Sequence, residues 1–118
     1  MEFEIDFYTD NNGRNPIQEF LDRLKITNRS LWQQAVKGVE KLRHREYHRE
    51  PLSKYLEPRL WELRIRAGTE IVRIFYTFAK GQIIVLLHIF IKKQQKTPIR
   101  ELEMALKRLK IIKAMEMN

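Results

Sequence analysis

The sequence predicts an α+β domain in which an N-terminal strand, a helical hairpin, an antiparallel three-stranded meander completing a four-stranded sheet, and a C-terminal helix follow one another. Three observations carry this. Apolar and polar residues alternate at the N-terminus, apolar residues recur at helical spacing between residues 16 and 47, and alternation returns beyond residue 60 in segments rich in β-branched and aromatic side chains.

Phe3, Ile5 and Phe7 alternate with Glu2, Glu4, Asp6 and Tyr8, the period of a half-buried strand, and Asp10-Asn11-Asn12-Gly13 breaks it. Asn15 is placed to cap a helix, with Pro16 at its first position and Gln18 in the capping-box slot. Ile17, Phe20, Leu21 and Leu24 form its apolar stripe. A second helix is expected from Thr27 or Asn28 to about Tyr47, with Leu31, Ala35, Val39 and Leu42 buried and Gly38 weakening it slightly. Glu50-Pro51 and Glu57-Pro58 bound an expected connecting loop. The strands of the meander run over Trp61–Arg66, Ile71–Phe78 and Ile83–Ile91, with turns at Ala67-Gly68 and Lys80-Gly81. Thr97 as cap and Pro98 as first residue open a last helix, on which Ile99, Leu102, Leu106 and Leu109 form the stripe, while Ile111, Ile112 and Met115 are expected to finish the core, docking of a partner being the alternative.

Composition narrows the function. With 118 residues the chain is one domain by size, and the absence of cysteine excludes a disulfide framework, a thiol nucleophile and every thiolate metal site. The N-terminus is neither a signal nor a transit peptide, and the apolar run Ile83–Leu87 with His88–Ile91 is far short of the ~20 residues of a membrane span, so a cytoplasmic protein without membrane contact is expected. Residues 1–58 hold 10 basic and 10 acidic side chains, whereas residues 59–118 hold 13 and 5, so the whole +8 lies in the second half. Charge this one-sided suits a polyanion, with nucleic acid first.

Hydrolytic constellations are weak. His44 and His48 stand four apart on the expected helix, but nothing completes a metal site, and no metal or other cofactor is expected. What remains is a set of cations on strands. Arg64 and Arg66 share a strand face opposite Trp61, Leu63 and Ile65. Arg73 sits mid-strand between Ile71 and Phe75, where a cation loses hydration unless something anionic meets it. Lys92, Lys93 and Lys96 follow the last strand, so all these cations converge if the meander is as expected.

Three segments then resemble a known family: Leu60-Trp61-Glu62-Leu63-Arg64, Val72-Arg73-Ile74-Phe75-Tyr76, and His88-Ile89-Phe90-Ile91-Lys92-Lys93-Gln94-Gln95-Lys96-Thr97-Pro98 with Glu101 and Ala105. Together they are similar to the RelE/ParE toxin superfamily, and more narrowly to its HigB-like, phage-derived branch, over nearly the whole chain. The resemblance implies a RelE-like fold and one toxin domain over 1–118. It also implies a type II toxin–antitoxin toxin that cuts mRNA on the ribosome and forms a hetero-oligomer with a helix-turn-helix, HigA-like antitoxin. Family strand arginines correspond to Arg64 and Arg73, and the basic residue after the last strand to Lys93, supported by Lys96. Ile89 stands where relatives often have Gly, and no tyrosine follows Tyr76, so a stacking or proton-transfer role falls to another residue or is absent. The ParE type carries the same sheet but inhibits DNA gyrase without nuclease chemistry.

In the nuclease reading Arg73 and Arg64 stabilise the pentacoordinate phosphate, and Lys93, crowded by cations, exchanges a proton. His88 is the alternative acid or base because its ordinary pKa is ~6.5, although a strand histidine bonded to a backbone carbonyl explains it equally well. Arg66, Lys92 and Lys96 complete the expected RNA contacts.

Overall fold

The computed structural model describes residues 2–92 and 96–116. Asn15 caps helix α1 (Pro16–Thr27) as its position asks, its side chain accepting from the Gln18 N–H at 3.0 Å. The reciprocal half of a capping box is not made: Gln18 donates to the Asp22 carboxylate instead, at 2.9 Å. Asn28 then serves two helices. Its N–H closes α1 on the Leu24 carbonyl and its side chain accepts from Leu31 N–H, so α2 (Arg29–Lys41) follows without a loop.

Helix α2 stops at Lys41, short of the expected Tyr47. Its stripe of Leu31, Ala35, Val39 and Leu42 faces the sheet, but the next positions at that spacing are the exposed, charged Arg45 and Glu46, which do not continue the apolar stripe. The chain makes a short 3-10 turn over Arg45–Tyr47 instead. His44 and His48 therefore do not share a helix face. His48 packs between Phe3 and Phe78, with ring centroids 4.9 and 5.0 Å away, and donates from Nε2 to the Leu42 carbonyl.

The sheet has five strands, one more than expected, in the order β1-β5-β4-β3-β2. Strand β1 (Glu4–Phe7) runs parallel to β5 (Ile83–Lys92), while β5, β4 (Glu70–Ala79), β3 (Leu60–Ala67) and β2 (Ser53–Glu57) are antiparallel neighbours. The extra strand, β2, occupies the expected loop between the two X-Pro pairs. It is an edge strand of five residues with a bulge between Tyr55 and Glu57, and an edge needs neither alternation nor a second apolar face. Tertiary contact holds it: Ser53 is fully buried and its hydroxyl accepts from the Tyr76 hydroxyl at 2.9 Å.

Helices α1 and α2 cover one face of the sheet, packing Leu21, Leu24, Leu31 and Ala35 toward Leu63, Ile65, Val72, Ile74 and Tyr76. The approach of α2 is close enough to require Gly38, since a Cβ there would lie 2.8 Å from Ile65 Cγ1. The other face meets α3 (Ile99–Glu116), which sets Ala105 and Leu109 on Phe75, Val85, Leu87 and Phe90. Of the three residues expected to finish the core, Ile112 packs against it, while Ile111 and Met115 remain exposed because they lie off the Ala105–Leu109 line. Among the described residues no helix is long and apolar enough to cross a membrane.

Candidate functional site

Residues directly opposite one another in a sheet share a face. The register pairs Lys54 with Glu62, Glu62 with Phe75, Arg64 with Arg73, Arg73 with Phe90, and Ile71 with Lys92. Lys54, Glu62, Arg64, Arg73 and Lys92 therefore lie on the face that α3 covers elsewhere with apolar side chains. Where the apolar residues stop, this face turns to charge.

Arg73 is 8% exposed, and the anion that meets it is Glu62, itself 2% exposed. One carboxylate oxygen, Glu62 Oε1, accepts from Arg73 Nη1 at 2.5 Å and from Arg64 Nε at 3.1 Å. Two arginines directly opposite on adjacent strands repel, and a buried charge needs a partner, so Glu62 answers both needs at once. Arg64 remains about a third exposed and also approaches Glu50, at 3.7 Å. Among the described residues Glu62 Oε2 and Arg73 Nε have no hydrogen-bond partner. Lys92 completes the group. Its ammonium is held below the usual lysine range first by burial and then by Arg73, with Arg64 and Lys54 adding to the effect and Glu62 opposing it. One carboxylate among four cations leaves the cluster strongly positive.

Beside it lies an open groove of about 750 Å³ between the Arg45–Tyr47 turn, the segment leading into β2, and the edge of β3 that β2 leaves uncovered. Arg64, Arg66 and Arg73 form one wall, and Tyr47, Pro51, Leu52 and Ile71 give it an apolar lining. Counting Lys41 and Arg49, its five cations face only Glu46 and Glu50.

His88 lies elsewhere. Its Nε2 donates to the Glu101 carboxylate of α3 at 2.8 Å, and its Nδ1 accepts from Arg108 Nη1 at 3.3 Å. This pairing fixes a neutral ring with the proton on Nε2, and burial pushes its pKa down while Glu101 opposes. The bond expected to a backbone carbonyl is thus made to a carboxylate. Leu87, the extra residue of a bulge in β5, gives its carbonyl to the same Arg108 at 2.8 Å.

Of the residues singled out in the sequence, Arg64, Arg73 and Lys92 come together, and Arg66 lies exposed on the groove wall. Lys96 is exposed beyond β5, and Lys93 falls outside the described residues.

Residues 19–110 match the family described as phage derived protein Gp49-like (DUF891). The chain belongs to this family. It is a RelE/HigB-like toxin family, consistent with a toxin of a toxin–antitoxin pair. No curated protein matches this Gp49-like chain.

Sequence reasoning found the cations of the Gp49-like chain and missed what organises them. Glu62 alternates in phase with Arg64 and Arg66, a visible signal that a carboxylate shares the arginine face. Lys54 has no such signal, because its short edge strand carries no alternation. The groove was equally hidden, since Tyr47 was expected on a helix and Leu52 in a loop.

Proposed function

We propose that this protein is the toxin of a type II toxin–antitoxin system and acts as a metal-independent, ribosome-dependent endoribonuclease on mRNA. The gathering of Arg64, Arg73 and Lys92 around one buried carboxylate at the rim of an open cationic groove supports this most. Attack of a ribose 2′-OH on the adjacent phosphorus, its proton passing to solvent water, forms the O2′–P bond and builds negative charge on the non-bridging oxygens of a pentacoordinate phosphate. The partly exposed guanidinium of Arg64, held through Nε by Glu62 and near the exposed Glu50 through Nη1, turns its outer N–H groups to those oxygens, and Glu62 holds Arg73 behind it as a fixed positive charge. Bond breaking then puts charge on the 5′-oxygen, which needs a proton. Lys92, its ammonium made more acidic by burial and by Arg73, supplies one, and Lys93 has the same claim from its place in the sequence. The products are a 2′,3′-cyclic phosphate and a free 5′-hydroxyl. A helix-turn-helix antitoxin of the HigA type holds the toxin inactive in the cytoplasm.

Induced expression tests this. Growth arrest with mRNA cut inside translated codons, relieved by Arg64→Ala, is the expected result. Growth arrest with intact mRNA and stalled gyrase overturns the nuclease in favour of a ParE-like inhibitor, and a harmless wild-type chain overturns both.

A further inference from the structure

The groove beside Arg64 has a property that phosphate binding does not use. Its floor is apolar and carries an aromatic ring. Tyr47 is only half-buried there, beside Pro51 and Leu52. Lys41 Nζ lies 5.5 Å from the Tyr47 ring centroid, which tethers the ring to the end of α2. Arg64 and Arg66 line the same hollow. A hollow of about 750 Å³ is within the size range of small-ligand sites, and its excess of cations suits an anionic chain.

We infer that this groove is a nucleobase subsite, in which one unpaired base of the RNA next to the scissile phosphate stacks on Tyr47 while Arg64 and Arg66 hold the backbone. Unpaired bases are recognised by stacking on aromatic rings beside cationic grooves, and stacking accepts any base because each has a π-face. The occupant is a base rather than an apolar peptide because the cations line the same hollow as the ring, and a peptide would leave five cations facing two carboxylates. The inference rests on the endoribonuclease reading and adds a specific contact to it.

The test is single-turnover cleavage of mRNA programmed on ribosomes, using the full chain and mRNAs in which each base of the A-site codon is removed in turn to leave an abasic ribose. Wild type is expected to lose rate at one abasic position. Tyr47→Ala should lose about ten- to a hundredfold on intact mRNA and nothing more at that abasic position, while Tyr47→Phe cuts as wild type does. A Tyr47→Ala protein that cuts as fast as wild type, or whose loss is the same on every abasic mRNA as on intact mRNA, overturns the subsite. Thermal melting checks that Tyr47→Ala is folded, and Tyr47→Leu, which refills the volume without a π-face, should cut as slowly as Tyr47→Ala. If wild type cuts no mRNA in this assay, the endoribonuclease reading itself fails, an outcome separate from insensitivity to Tyr47.

Discussion

The same face of one sheet carries two polar clusters built on a similar plan. In one, Glu62 lies between Arg64 and Arg73. In the other, Glu101 and Arg108 hold His88 between them. The first is made within the sheet from adjacent strands and opens on a groove. The second joins the sheet to α3 and uses both ring nitrogens of its histidine. Each buried polar group needs a partner. Where the partner comes from the sheet, cationic N–H groups remain for a ligand, and where it comes from a covering helix, the cluster becomes a clasp. This difference, more than residue type, separates Arg64 from His88 as candidates for chemistry.

The sharpest way to break the comparison is at Glu62. Glu62→Ala leaves Arg73 buried without its anion and should cost about 3–5 kcal/mol of stability in denaturant unfolding. A loss no larger than that of an exposed ion pair would mean that the carboxylate does not organise the cluster.

Arg64→Ala separates chemistry from folding. Its guanidinium is partly exposed, so the stability change should stay within about 1 kcal/mol, while mRNA cleavage falls by roughly 10²- to 10³-fold. Arg73→Ala is a poorer probe, because it leaves the buried Glu62 with only its Arg64 partner and opens a hole in the packed face, confounding lost activity with lost stability. Equal and large losses of stability in both variants would erase the distinction between the two arginines.

Glu101→Gln should loosen the clasp by about 1 kcal/mol, seen as faster amide exchange in α3, with the Glu62 cluster undisturbed. Exchange that quickens in β3 and β4 as well would show that the two clusters are coupled.

The smallest effect is on pH dependence. The pKa of His88 is lowered in the folded state from its ordinary 6.5, so the unfolded chain binds the proton more tightly. Its contribution to stability is full above that ordinary value and is lost as pH falls through the depressed folded value, where a second ring proton displaces the Arg108 donation. His88→Gln should flatten this acid-side slope of the melting temperature, and an unchanged slope would assign it to other groups.

Much of this was legible in the sequence because it is local. The cap at Asn15, the stripes of α1 and α2, and the alternation in β3 follow from spacing alone. The end of α2 differs from the expected Tyr47 because the apolar stripe ends at Leu42 and no local stop signal marks Lys41 as the last residue. Strand β2 was invisible because an edge strand between prolines has no periodic signature. The candidate site was half legible: Arg73 announced itself as a cation that needed an anion, but the sequence did not say that the anion would be Glu62, eleven residues back on the neighbouring strand.

By itself, then, the sequence determined the order of the elements other than β2, the excess of positive charge in the second half and the arginines on one strand face, since each depends on residues a few positions apart. Only the tertiary structure decided which carboxylate neutralises which arginine, that Lys54 and Tyr47 join the site from the other half of the chain, and that His88 is tied to α3. These outcomes depend on register, on a bulge and on the docking of α3, which bring distant residues within bonding distance.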